Sequence, residues 1–399
     1  MVEVKKLFDA LNNSDTPRVQ KFPELFNSAD GDVKILYAGA LLNKTGIFRS
    51  AIPKLELNGK GFSTILANFL REKHFNNSVY IDNYNLGLKH DIIAWADYII
   101  LPALSQDISF LVNDLKRANK NITVCYDLDK NYHKLPNKSN DFTYYDLPKQ
   151  KAILKNISKC DLLIVPDASI MEFYDRELKK YHDSSNVEVT IVPNFISEKQ
   201  FKLVLDAFRD NPPKRDEDIF TVLVYAEESD YDDINANRDI FEFLQKTYPQ
   251  VKLVVFGENM NWKDKHALRG IRHEFVKAKN HFDYYTQLAR INPNVAFIPI
   301  SHRNDYYRTN YKFLELSALG IPIITYNVKP YTQYKDFILI EDKKGGVKDI
   351  FAEAIKDKKK LAGIGEKASD FVWKNYSINS TNMEIFTNSF YANVDSEKT

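Results

Sequence analysis

Cysteine is almost missing from this chain. Cys125 and Cys160 are the two in 399 residues, and both lie in or beside apolar segments. Their spacing fits no metal or redox motif, which leaves buried thiols in a reducing compartment as the expectation. Histidine is sparse as well, and His90, His266, His273 and His281 have no ligand spacing, so a zinc site is not expected. Neither sign of charge prevails. Lys plus Arg number 55 against 54 for Asp plus Glu, so no global charge points to nucleic acid as a partner. Long hydrophobic runs are also lacking. The opening MVEVKKLFDALNNSD has no long apolar core, and nothing approaches the roughly 18 apolar residues of a spanning helix. A soluble, cytoplasmic protein is expected, with room for peripheral contact at the inner face of a membrane.

What is present is ample core material. Hydrophobic residues make up 44% of the chain, including 23 tyrosines and 26 phenylalanines, and the length is too great for one ordinary core. Apolar strands are expected at 33–38, 78–81, 98–102, 122–126, 162–166 and 188–192. A loop LLNKTGIFRSAIP follows the first of these, and helices are expected over 61–72 and 108–118, the latter with Phe110, Leu111 and Leu115 on one face. A polar stretch DNPPKRDEDI at 210–219 reads as a surface connection. The pattern then restarts, with strands expected at 220–225, 251–256, 272–276, 295–299, 321–325 and 337–340. A helix is expected over 238–246, and 367–392 is expected to be helical. Two β/α series of similar size predict two Rossmann-like, doubly wound α/β domains facing a cleft. The expected domains are 1–195 and 196–372, with 373–399 folding back on the first.

One stretch carries the chemistry. YYRTNYKFLELSALGIPIITYNVKPY, from Tyr306 to Tyr331, reads as loop, helix, turn, strand and aromatic loop. Gly320 stands where an αL cap would end the helix, and Pro322 prevents its continuation. A helix starting near Asn310 offers free N–H groups and a positive dipole end to a phosphate. Glu315 could accept from ribose hydroxyls, and Arg303, Arg308 and Lys312 could neutralise a diphosphate. Tyr306, Tyr307, Tyr326 and Tyr331 are the tyrosines best placed to stack on a sugar. The same Lys312 and Glu315 would also suit a solvated i,i+3 pair on an ordinary α/β unit.

These residues resemble a known family. Lys312 to Pro322 reads K-x-x-E-x-x-A-x-G-x-P, which resembles the nucleotide-sugar segment of the family-4 retaining glycosyltransferases of GT-B fold. ADYIILPALSQD, ITVCYDLDKNYHKLP, CDLLIVPDASIMEFY, VPNFI and the closing WKNYSINSTNMEIFTNSFY are similar to blocks of bacterial members, in the same order. The resemblance spans roughly residues 30 to 392. It implies a hexosyltransferase in bacterial glycan synthesis with a nucleotide diphosphate sugar as donor, a UDP-sugar foremost, and no resident cofactor. It also implies a glycan, lipid-linked or protein acceptor and a last helix crossing back to the first domain; homo- or hetero-oligomers are compatible with it.

The residues singled out are Glu315, Asn310, Arg303, Tyr307 and Tyr331 for the donor, and Arg308, Lys312 and Asp305 for catalysis. The acceptor side receives Gly46, Arg49, Asp127, Asp129 and His133. Two departures stand out. The acid that many relatives carry eight positions before the motif glutamate is Tyr307 here, with Asp305 nearby as a candidate replacement. The Arg and Lys that many carry after the first strand of the second domain are absent from YAEESDYDDIN, where the next basic residue is Arg238. Those departures motivate an alternative, a non-catalytic GT-B-like subunit that binds a glycan or stabilises a partner enzyme. Asp127-Leu128-Asp129 also has the DxD spacing with which the GT-A fold holds a metal, but two complete β/α series favour acceptor-side or structural roles.

Overall fold

The computed structural model describes residues 30–38, 44–67, 72–75, 78–81, 90–135, 140–181, 187–208, 213–225, 230–257, 268–278, 281–300, 309–341 and 346–390. The chain divides into two compact units, 1–133 with 143–199 and 378–399, and 134–142 with 200–377.

The first unit is built on six parallel strands: β1 (Val33–Ala38), β2 (Phe62–Ala67), β5 (Tyr98–Pro102), β6 (Thr123–Asp127), β7 (Leu162–Val165) and β8 (Glu188–Ile191). Their spatial order is β2-β1-β5-β6-β7-β8, and β3 (Glu72–Phe75) pairs with β4 (Ser78–Ile81) in a separate antiparallel hairpin. Strands this apolar are expected where helices cover both faces of a sheet. Leu36, Ile99, Val124 and Leu163 enter one core, which Leu111, Leu115, Ile153 and Ile157 close from helices. The final helix, Met383–Phe390, belongs to this unit: the Phe390 ring meets Tyr98 edge-on at 5.2 Å, and Phe386 packs on Phe195 at 5.2 Å.

The second unit has strands β9 (Phe220–Tyr225), β10 (Val251–Gly257), β11 (Glu274–Lys277), β12 (Val295–Ile298), β13 (Ile323–Tyr326) and β14 (Leu339–Glu341). Every pairing is parallel, in the order β11-β10-β9-β12-β13-β14. From β9 the chain moves first to one side and later to the other, so the C-terminal ends of β9 and β12 flank a topological switch point. No helix among the described residues is long and apolar enough to cross a membrane.

Four expectations need correction. The helix expected over 61–72 is instead β2, parallel to β1, because Thr64 and Ile65 are β-branched and fit a pleated surface. The covering helix comes earlier, in what reads as a loop: Lys44–Gly46, a π turn Ile47–Ala51 and Ile52–Leu57 run on as one helical stretch. Pro53 sits just past the junction between the π turn and the last part. Phe110 is 42% exposed, and Leu111, Val112 and Leu115 form the buried face of their helix. The terminal helical segment is two helices, Lys358–Tyr376 and Met383–Phe390.

The turn after the helix Tyr311–Ala318 is a Schellman cap. Gly320 N–H donates to Ser317 O at 2.8 Å and Ile321 N–H to Leu316 O at 3.0 Å, with Gly320 at φ +68°. The helix Lys358–Tyr376 lies directly on this turn, and a Cβ at Gly365 would fall 2.3 Å from the Gly320 carbonyl oxygen and 3.0 Å from the Pro322 ring. Trp373, further along, donates its indole N–H to Ala318 O at 3.2 Å. Gly365→Ala should therefore lower stability by about 1–3 kcal/mol through overpacking. Gly363→Ala, with nothing within 4 Å, should be neutral or slightly stabilising. Urea midpoints of the two variants check the difference.

Candidate functional site

The motif helix begins at the C-terminal edge of the second sheet. Lys312 lies in its first turn and its Nζ is 3.3 Å from the carbonyl oxygen of Tyr225, the last residue of β9. Its ion-pair partner is Asp230, five residues past the end of β9, and the ammonium also sits 5.4 Å from the Tyr225 ring centroid. Glu315, one turn on, is 1% exposed. One of its carboxylate oxygens accepts from Tyr225 OH and the other from Tyr285 OH at 3.0 Å. Tyr284, beside Tyr285 on the helix His281–Ile291, donates in turn to Tyr225 OH. Hydroxyls are the right partners for a buried carboxylate, since each removes an unmet lone pair without adding charge to be desolvated. A solvated Lys312–Glu315 pair is thus excluded: both side chains are buried, and each turns to a different group.

Asn310 is the cap residue of this helix, but its side chain makes no capping bond. Its amide donates to Tyr334 OH at 2.8 Å, and that hydroxyl meets Tyr376 OH at 3.0 Å. Tyr334 also stacks on Phe313, with ring centroids 3.8 Å apart. Burial raises the Tyr334 phenol far above its ordinary range. Tyr331, assigned to the donor on sequence, and Tyr334 are both buried in the short helix Tyr331–Tyr334. Tyr326 is half-buried and bonds to Asn237, and burial pushes its phenol up to about 12. Arg303, Asp305, Tyr306, Tyr307 and Arg308 lie outside the described residues.

The acceptor-side candidates gather at the C-terminal edge of the first sheet, and mostly on each other. Arg49, on the π turn after β1, gives Nε to both Asp127 oxygens at 3.0 and 3.2 Å and Nη2 to one of them at 2.5 Å. Its Nη1 bonds to Val192 O at 2.6 Å and Asn194 Oδ1 at 3.2 Å. Burial raises the Asp127 carboxyl above its ordinary value, and the Arg49 charge pulls it back down. Asp129 accepts from Thr45 Oγ at 2.8 Å and from Tyr132 OH at 2.5 Å. All four oxygens of the DxD thus take protein donors. Among the described residues no group of three His, Cys, Asp or Glu could hold a metal.

His133 is committed as well. Its Nε2 lies 3.1 Å from Gln150 O, which can only accept, so Nε2 carries the proton. Nδ1 then accepts from Tyr174 OH at 3.1 Å, while that hydroxyl accepts from Tyr132 N–H. Gly46 closes the short helical turn Lys44–Gly46, with φ −62°, where glycine's freedom is unused.

Sequence reasoning missed Asp230, Tyr225, Tyr285 and Tyr334. For Asp230 a signal existed: 230–233 holds three aspartates and no base, shortly after the strand end. The tyrosines had none, because their role depends on which strand end meets which helix.

Residues 235–387 match a family model described as glycosyl transferase-like. Comparison with curated proteins finds no match. Among solved structures, sucrose-phosphate synthase from Thermosynechococcus elongatus is similar with a TM-score of 0.61 at 13% identity, covering 92% of this chain and 100% of that one. TarM from S. aureus, in complex with fondaparinux, alpha-GlcNAc-glycerol and UDP, follows with 0.54 at 16%, covering 84% of this chain but 65% of that one. A trehalose-6-phosphate structure from E. coli, bound with UDP-2-fluoro glucose, has 0.57 at 10%, covering 89% and 98%. The fold is that of the GT-B glycosyltransferases, and the second unit with the closing helix carries the glycosyl transferase-like match.

The Arg49–Asp127 pair makes a stability prediction. Arg49→Met should cost about 3–5 kcal/mol by leaving a buried charge unpaired, and adding Asp127→Leu should recover most of it. Without Arg49 the burial effect on Asp127 is unopposed and its folded-state pKa rises further above the unfolded value. The variant's loss is then small below the unfolded pKa and grows as pH rises towards the folded one. Urea unfolding at about pH 5 and about pH 8 should show the larger loss at the higher pH.

Proposed function

We propose that the protein moves a hexose from a nucleotide diphosphate sugar to an acceptor hydroxyl, with retention at the anomeric carbon, in bacterial glycan synthesis. The observation that supports this most is the joint placement of Lys312 and Glu315. They lie one turn apart on a helix whose start reaches the end of β9 at the switch point of a doubly wound sheet, where such folds bind nucleotides. Lys312 and the helix start supply positive charge for the diphosphate. Glu315 supplies a carboxylate for the ribose diol, held in orientation by Tyr225 on one oxygen and Tyr285 on the other.

In the reaction, the bond from the anomeric carbon to the diphosphate oxygen breaks and a bond to the acceptor oxygen forms on the same face. The leaving diphosphate takes the electron pair, and the acceptor proton passes to its departing oxygen. Groups fixed in advance around that diphosphate stabilise charge as it develops, without reorganisation at the moment of reaction. Lys312 is the described side chain assigned to this work, with Arg303 and Arg308 as further candidates and Asp305 in place of the motif's first acid. UDP is our choice of nucleotide, since it accompanies two of the similar structures. The donor is a substrate, and no resident cofactor is assigned. A glycan, lipid-linked or protein carrier supplies the acceptor hydroxyl.

One observation favours a second reading. Lys312 is already paired with Asp230, as in a binding subunit that never handles a diphosphate. An enzyme should release nucleoside diphosphate slowly from its sugar donor even without acceptor, and a binding subunit should release none.

Two measurements test the main reading. A panel of UDP-, GDP- and dTDP-sugars should contain one that stabilises the protein by about 2.7 kcal/mol at roughly 100 times its dissociation constant. Glu315→Ala should weaken binding of that donor by at least about tenfold, the loss of a charged hydrogen-bond acceptor. Unchanged affinity by titration calorimetry in the folded variant would remove Glu315 from the donor site.

A further inference from the structure

We propose that Asp230 is an internal stand-in for the donor's diphosphate: it holds the Lys312 ammonium until a nucleoside diphosphate takes its place, and so sets donor affinity. The inference rests on the glycosyltransferase reading and deepens it.

The pair is buried, with side chains 8% exposed at Lys312 and 2% at Asp230. Asp230 occupies the cap position of the short helix Tyr231–Ala236, where an aspartate ordinarily accepts from the first turn, and it makes no such bond. Its carboxylate goes to the ammonium across 82 residues of chain instead.

A lysine binds phosphate as a point charge with three donors and can exchange one anionic oxygen for another without re-forming a fixed fork. An incoming diphosphate carries more charge and more acceptor oxygens than one carboxylate, so it can win the exchange. It must also overcome repulsion from the displaced aspartate.

This separates the proposal from a plain positioning role. If Asp230 only oriented Lys312, neutralising it would lower both stability and nucleotide affinity. If it competes for Lys312, neutralising it lowers stability, because a buried ammonium loses its counter-charge, and raises affinity.

Titration calorimetry with UDP, repeated with inorganic pyrophosphate, on wild type, Asp230→Asn, Lys312→Met and the double variant distinguishes these outcomes. Asp230→Asn is expected to melt at a lower temperature yet bind UDP about tenfold tighter. The gain should vanish in the Lys312→Met background, as a double-mutant cycle requires of a direct coupling. Asp230→Ser serves as the neutral variant should Asn not fold.

Equal or weaker UDP binding by a folded neutral variant overturns the proposal, and so does an undiminished gain without Lys312. In both cases wild type still binds nucleotide and the donor-site reading stands. A wild type that binds neither UDP, GDP, ADP nor dTDP overturns the donor-site reading itself, and this inference with it.

Discussion

A buried carboxylate has to be satisfied, and much of the second unit's architecture can be traced from that requirement at Glu315. Its two oxygens take Tyr225 from the end of β9 and Tyr285 from the helix His281–Ile291, so one side chain ties three elements together at the sheet edge. Tyr284 extends the network to a third hydroxyl. The helix that carries Glu315 is then fixed at its far end by a Schellman turn, on which the helix Lys358–Tyr376 rests without room for a methyl group at Gly365. Polar satisfaction at one end and close backbone packing at the other leave the motif helix little freedom, as a site for precise recognition needs.

The two units solve a similar electrostatic problem differently. At the C-terminal edge of each sheet a buried cation meets a buried aspartate: Arg49 with Asp127 in the first, Lys312 with Asp230 in the second. Arg49 spends Nε, Nη1 and Nη2 on protein acceptors and links β6 to the segment after β8, which suits a permanent brace. Lys312 holds one carboxylate and a longer contact to a backbone carbonyl, and an ammonium adapts readily to another anion. Planar geometry and donor number thus make one pair architectural and leave the other open to exchange.

Much of the fold could be read from residue order. The strand Phe220–Tyr225 was expected at its observed bounds, and Gly320 with Pro322 marked the end of the motif helix. The failures cluster between β1 and β5. There Gly46 and Pro53 look like loop punctuation but sit in helix, and Phe62–Ala67 has a helix-compatible pattern that pairing with β1 overrides. At the site, Lys312 and Glu315 were legible because they sit close together on one helix. Their partners were not, since Asp230 and Tyr225 are over 80 residues away and become neighbours only when β9 and β12 pair. Tyr334 shows the same limit: its contacts with Asn310 and Phe313 are set by tertiary packing.

The indole of Trp373, bonded to the last turn of the motif helix, gives the molecule an optical handle. Indole emission shifts with the hydrogen bonding and polarity around the ring. With three tryptophans in the chain, a variant retaining Trp373 alone would report on the C-terminal carbonyls of the very helix whose other end carries Lys312. Rearrangement of that helix could then be followed by fluorescence in real time, without attaching a dye.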